Sequence, residues 1–206
     1  MDRSVLIYGL YLAVLLILVG GIAVTPHIAH SNEEDAAWLY DAFSVTCHQK
    51  ISRSQCLFEG EGYYIADCTA QEGERVSYDQ KDIRAEHDSH IGYKFPVCAR
   101  DVGMYVALLL GALVYPFFRR LDSMYVYPAI YLVIGIVPFA LDGTIQLLTS
   151  IFPDIIGVYE SNNLTRLLTG GLAGFVASFY VIPILNNMFA KPEAVKPKKE
   201  VKAKKS

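Results

Sequence analysis

Charge is what this sequence runs short of, and only in places. Val5–Val24 is twenty residues without a charged side chain, Val102–Phe118 is seventeen and Leu167–Ala190 is twenty-four, while Ser123–Pro153 is interrupted by Asp142 alone. A helix rises about 1.5 Å per residue, so roughly 20 apolar residues cross a hydrocarbon core of about 30 Å. Four such runs exclude an ordinary soluble domain and predict four membrane spans. The first run exceeds the h-region of a signal peptide (about 7–15 residues) and its n-region, MDR, is short, so it reads as an uncleaved helix. Other absences narrow the function. No C-x-x-C is present, which weakens a thiol–disulfide oxidoreductase. No internal repeat appears, so a transporter would have to assemble its path from several copies.

Cysteine is scarce and segregated. All four (Cys47, Cys56, Cys68, Cys98) and all five histidines fall between Thr25 and Asp101. Basic residues at helix ends stay in the cytoplasm. Arg3 precedes the first span, Arg119 and Arg120 sit between the second and third, and the tail KPEAVKPKKEVKAKKS is lysine-rich. Both termini are therefore expected inside, and the cysteine-bearing segment outside, where thiols can be held as disulfides. The reading is an all-α, multi-pass protein of the cell membrane, N-in/C-in. Its parts are span 1 within 1–24, a large disulfide- or metal-tied external loop at 25–101, spans 2–4 within 102–190 (about 102–118, 124–150 and 166–190), and a disordered, Lys-rich cytoplasmic tail at 191–206. The tail fits a lipid surface better than nucleic acid.

Within the loop, Ser31 and Asn32 are candidate N-caps for an amphipathic helix carrying Trp38, Leu39, Ala42 and Phe43, with acidic residues in its first turn. CLFEGEGYYIADC reads as a small hairpin, with Gly60 and Gly62 in its turn. EGERVSYDQKDIRAEHDSHIG reads as a solvated loop. The four cysteines allow three pairings, and the spacing does not choose among them.

Three constellations could carry chemistry. In FPVCARDVGMY, Pro96 suits a helix start. Cys98 then lies near the positive end of the dipole, where a thiolate is favoured, with Arg100 beside it. In VPFALDGTIQLL, Pro138, Asp142 and Gln146 share a face. A carboxylate inside a span costs at least about 2.5–3.5 kcal/mol and calls for a partner in the bundle. In VYESNNLTRLLTGGLAG, Glu160, Asn162, Asn163 and Arg166 precede a small-residue stripe, Gly170 and Gly174. If that stripe faces span 3, Arg166 approaches Asp142. Cys47 with His48 supports a disulfide end, a metal ligand pair or a nucleophile–base pair with Cys98, and no standard zinc-finger spacing decides among them.

CHQ followed by SRS, then PVCARDVGMY, ALDGTIQLL and ESNNLTRLLTGGLAG, together resemble a family of small predicted membrane proteins widespread in archaea and bacteria, classed as a domain of unknown function. The resemblance spans about Cys47 to Gly174. It implies a shared polytopic fold and site, and no established activity. In that family the CHQ and P-x-C-A-R segments usually stand closer together. The insertion here carries Cys56 and Cys68 and so implies a local structural disulfide, leaving Cys47 and Cys98 in the shared site.

The functional expectation is a polar pocket at the external interface, belonging to a metal- or thiol-dependent enzyme or binder of a lipid headgroup or amphiphile. Cys98, His48 and Asp142 are its candidate catalytic groups. Cys47, His48 and Cys98 are the candidate ligands of zinc or another transition metal. Arg100, Gln146, Glu160, Asn162, Asn163 and Arg166 are the candidate ligand-binding groups. Membrane lipids, further copies or other membrane subunits are the expected partners. The rival is a non-enzymatic assembly or accessory subunit with a Cys47–Cys98 disulfide and a structural Asp142–Arg166 pair.

Overall fold

The computed structural model describes residues 2–47, 49–68, 82–87, 89–152, 157 and 159–189. The tail and the candidate ligand His48 lie outside the described residues. Among the described residues, four helices are long and apolar enough to cross a membrane: α1 (Arg3–Ser31), α3 (Ala99–Phe118), α4 (Ala129–Ile151) and α5 (Asn163–Met188). Between α1 and α3 come a short helix α2 (Glu33–Ser44), a single 3-10 turn (Ile51–Arg53) and four strands, β1 (Gln55–Glu59), β2 (Tyr63–Asp67), β3 (Arg84–His87) and β4 (His90–Lys94).

The strands correct the all-α expectation. They form one antiparallel sheet in the order β2-β1-β4-β3. The β1–β2 hairpin is as expected, with a disulfide from Cys56 to Cys68 at its base. The stretch read as a solvated loop supplies β3 and β4, which pair with each other while β4 also pairs with β1. Arg84 and Glu86 point outward from β3 while Ala85 is buried, so the strand looks polar when read alone. Gly92 has a specific role: a Cβ there would run into the ring of Phe58, which fills the middle of this small core with Cys56 and Ala85.

α1 continues beyond Val24 through Pro26 to Ser31, so the helix carries the chain into the sheet layer. Its last turn is tied there by His30, whose Nε2 donates to the Leu57 carbonyl at 2.8 Å and whose ring meets Tyr93 edge-on. Asn32 ends one helix and starts the next. Its N–H donates to the Ile28 carbonyl, and its side chain caps α2 by accepting from the Glu34 N–H. In α2, Ala36, Leu39, Tyr40 and Phe43 are buried while Trp38 is exposed, the one-sided pattern expected of an amphipathic helix. Phe43 packs on α1 at Gly21 and joins Ile22, Phe95 and Val97 in a core beneath the sheet.

α3 and α5 pack closely because small residues let their backbones touch. A methyl group at Gly170 would strike the Arg100 carbonyl, one at Gly174 the Met104 carbonyl, and one at Gly103 the Leu167 carbonyl. The stripe on α5 therefore faces α3 and not span 3 (α4), so the condition stated for a direct approach of Arg166 to Asp142 is not met. This contact sets the first turns of α3 and α5 side by side at the sheet end of the bundle.

Candidate functional site

The expected single pocket is two clusters, separated by the first turn of α3. Cys98 is the residue that starts this helix, with extended backbone, and Arg100 and Asp101 follow it. Asp101 lies one turn on from Cys98 and turns back to it, whereas Arg100 points the other way, toward α4.

The first cluster is built from Cys47, Cys98 and Asp101. After α2 the chain turns so that the Thr46 and Cys47 N–H groups both donate to the Phe43 carbonyl, at 3.0 and 3.3 Å. Gln49 then takes a left-handed backbone, φ 51°, uncommon for a residue with a Cβ, and donates its N–H to Cys47 Sγ at 3.4 Å. Three bonds hold that strained turn. Gln49 Nε2 donates to the Tyr40 carbonyl at 2.6 Å, Lys94 Nζ to the Gln49 carbonyl at 2.7 Å, and Tyr40 OH to the Lys94 carbonyl at 2.6 Å. The sheet's last residue thus positions the cysteine loop. Lys94 is fully buried, and desolvation lowers its ammonium from 10.5 to about 8.

Across from Cys47, the Cys98 N–H donates to Cys47 Sγ at 3.2 Å and the Cys98 thiol donates to Asp101 Oδ2 at 3.0 Å. One ligand atom from each of the three residues lies within 4.8 Å of the others, all three residues are partly exposed, and both cysteines are unbonded. The thiolate expectation is thereby reversed. The Cys98 side chain beside it and the backbone N–H groups of Gln49 and Cys98 lower the Cys47 thiol despite its burial. The Cys98 thiol is pushed up by the neighbouring Cys47 sulfur, by burial and by the Asp101 carboxylate. In this pair the N–H donors gather on Cys47 while the Cys98 thiol faces the Asp101 carboxylate.

The second cluster is larger and charged. Asp142, Gln146 and Thr149 line the buried face of α4. The predicted partner of Asp142, Arg166, is one group removed. Asp142 is paired directly with Arg100, also accepts from Ser161 Oγ at 3.1 Å and Tyr159 OH at 3.3 Å, and reaches Arg166 through Ser161, whose hydroxyl accepts from Arg166 Nε at 3.2 Å. Arg166 is only 2% exposed. It donates further to Asn163 Oδ1 and Glu160 Oε1, each at 3.2 Å. Glu160 Oε1 also accepts from Arg53 Nε at 3.1 Å. Gln146, with its amide turned so that oxygen meets donors, accepts from Arg166 at 2.6 Å and Arg53 at 3.2 Å. Burial raises the Glu160 carboxyl, but the two arginines outweigh it and hold the group below the usual range. Lys50, buried and beside Arg53 and Arg166, is lowered.

Of the expected binding residues, the structure brings Arg100, Gln146, Glu160, Asn163 and Arg166 into this network. Asn162 stays outside: it is exposed and caps α5 by accepting from the Thr165 N–H at 2.7 Å. Arg53 and Ser161 stand inside the SRS and ESNN motifs without a role being read from them, and Lys50 and Tyr159 join with no signal of their own. Asp101 does have a signal, since a step of three from Cys98 puts both on one helix face.

These features define an integral membrane protein with four candidate spanning helices, a small disulfide-bonded sheet and a paired thiol and arginine site at one end. A family profile described as "Predicted membrane protein (DUF2085)" matches residues 87–180, from the end of β3 into α5. The chain is also similar to "Uncharacterized protein MJ1492" of the archaeon Methanocaldococcus jannaschii, 32% identical over 190 residues that cover 89% of this chain and 96% of the relative. No solved structure matches. The chain belongs to this DUF2085 family of membrane proteins.

Proposed function

We propose that this protein holds a thiophilic divalent cation of the zinc class between Cys47, Cys98 and Asp101, at the extracytoplasmic end of its helical bundle. The observation that carries the reading is the convergence of two sulfurs and a carboxylate oxygen within 4.8 Å of one another, all partly exposed. A tetrahedral zinc with Zn–S bonds of about 2.3 Å sets its sulfurs about 3.8 Å apart, so a small contraction completes the site. The N–H groups of Gln49 and Cys98 already point at the Cys47 sulfur, and the cation would take the place of the Cys98 proton. The fourth position falls to His48 or to water. A closed site would be structural, whereas an open one would make the cation a Lewis acid beside whatever the neighbouring arginines bind.

The orientation is part of the proposal. The Cys56–Cys68 disulfide lies at the same end as the thiol pair, while Arg3, Arg119 and Arg120 lie at the other, an arrangement that supports N-in/C-in. Asp142 is read as a counter-ion rather than a base, because three donors already occupy its carboxylate.

The accessory-subunit reading needs Cys47 and Cys98 as a disulfide, and the proximity of their sulfurs keeps it in view. Elemental analysis of freshly purified full-length protein, with mass spectrometry of the same sample, decides between the two. The metal reading expects one metal per chain and two free thiols, with the metal lost in Cys98→Ser and retained in His48→Ala if water completes the site. A metal-free protein with Cys47 and Cys98 oxidised to each other would overturn it.

A further inference from the structure

At the end of the bundle opposite the thiols, the connection from Arg119 to Pro128 belongs to no helix or strand. Side chains of α5 nevertheless hold it in place. Asn186 Nδ2 donates to the Leu121 and Ser123 carbonyls at 2.6 and 3.2 Å, and Asn187 Nδ2 to the Met124 carbonyl at 2.8 Å. Tyr180 OH donates to the Pro128 carbonyl at 2.8 Å. These bonds set Tyr125 and Tyr127 beside the start of α4, where the Tyr127 ring meets those of Tyr125 and Tyr180 at 5.7 and 6.3 Å.

Farther along α4, Gly135 lets that helix touch Val176 of α5. From Val176 to Tyr125 runs an open groove of about 500 Å³. Its walls are Tyr125, Tyr127 and Tyr131 on one side and Phe175, Phe179 and Tyr180 on the other. A concave, mostly aromatic space of this size, already formed by its own supporting bonds, is what a small amphiphile fits. Tyr131, in the first turn of α4, is 58% exposed, so the groove opens on the surface that meets the membrane.

A cation stands at the tyrosine end. Arg119 closes α3, and its guanidinium lies 5.0 Å over the Tyr125 ring and 4.7 Å over the Tyr127 ring, with Nε donating to Tyr127 OH at 2.8 Å. Its titratable neighbours are Tyr127, Tyr115 and Tyr125, and among the described residues it has no carboxylate partner. Arg120 beside it is paired with Asp122. Stacking on rings orients a guanidinium and leaves its full charge in place. An aromatic groove with an unneutralised cation at its end complements an apolar chain with a negative head.

We propose that this groove binds one anionic phospholipid, its phosphate on Arg119 and a chain against the aromatic walls. Basic pockets between spanning helices at a membrane surface suit such headgroups. A planar guanidinium oriented by two rings presents its remaining N–H groups as a fork to phosphate oxygens. The proposal rests neither on the metal site nor on which end of the bundle is cytoplasmic.

The test mixes full-length protein in a neutral detergent with equal amounts of phosphatidylglycerol and phosphatidylcholine of the same chains, and counts retained lipids by native mass spectrometry. Wild type should keep one phosphatidylglycerol with a preference of roughly tenfold or more. Arg119→Gln should bring the two lipids close to parity. Arg120→Gln, which removes the same charge one residue away, should keep the preference. Tyr131→Ala, at an exposed position that should fold, removes one wall and should lower phosphatidylglycerol retention severalfold; thermal unfolding checks that each variant is folded. Parity or a phosphatidylcholine preference in wild type would overturn the idea, as would equal losses in the two arginine variants, which mark a diffuse attraction. A dimer present in wild type and lost in Tyr131→Ala would give the groove to a second copy and overturn it too.

Discussion

The two clusters flank the same helical turn and are held by opposite means. The thiol pair is compact, and backbone geometry holds it: a left-handed residue at Gln49, the N–H that starts α3, and one lysine bracing the loop from the sheet. The arginine network is assembled from side chains of α3, α4, α5 and two connecting segments, so its integrity depends on helix packing. The first is a site that a small cation can complete without moving the bundle. The second is a structural knot. Adjacent polar groups in a membrane protein thus need not form one pocket, since one turn of helix can divide them by pointing Arg100 and Asp101 in different directions.

The sharpest way to break this comparison is to cut the network while watching the thiols. Asp142→Asn leaves Arg100 buried without its counter-ion and should destabilise the protein by about 3–5 kcal/mol, read by denaturation in detergent. Metal bound per folded chain should not change, and a parallel loss of metal would join the two clusters into one site. The reciprocal cut, Cys98→Ser, should weaken zinc binding by at least about a hundredfold, measured by competition with a chromophoric chelator. Zinc affinity should also climb with pH, by about tenfold per unit while one proton is displaced, because the Cys98 thiol is held protonated in the apo protein.

The smallest effect concerns the brace. Lys94 titrates near 8 when folded and near 10.5 when not. Between those values the unfolded chain binds the extra proton, so stability should rise with pH across that window and be flat in this group below it. Lys94→Met should abolish the rise, seen as a few degrees in melting temperature, and should loosen the Cys47 loop.

Much of the bundle was legible because a charge-free run of about 20 residues has few alternatives. The end of α1 was less so: Pro26, His27 and His30 look like a loop entrance until the sheet that receives them is known. β3 and β4 were hidden for a related reason. Their stability comes from pairing with distant β1 and from packing on Phe58, neither of which leaves a periodic trace in RAEH or HIGYK. At the site, residue types were readable and partners were not. Gly170 and Gly174 mark which face of α5 is small without saying which helix it meets, and that choice gave Asp142 to Arg100 instead of Arg166. Likewise a helix start at Cys98 suggests a thiolate there, but the N–H it offers goes to Cys47, and Asp101 keeps the Cys98 proton in place.

The central claim, that Cys47, Cys98 and Asp101 close around one cation, is tested most directly by X-ray absorption at the zinc edge of full-length protein loaded with one equivalent. Two sulfur neighbours at about 2.3 Å with the remaining positions filled by oxygen or nitrogen near 2.0–2.1 Å is the predicted spectrum, and Cys47→Ser should remove one sulfur from it. A shell of oxygen and nitrogen alone would contradict it.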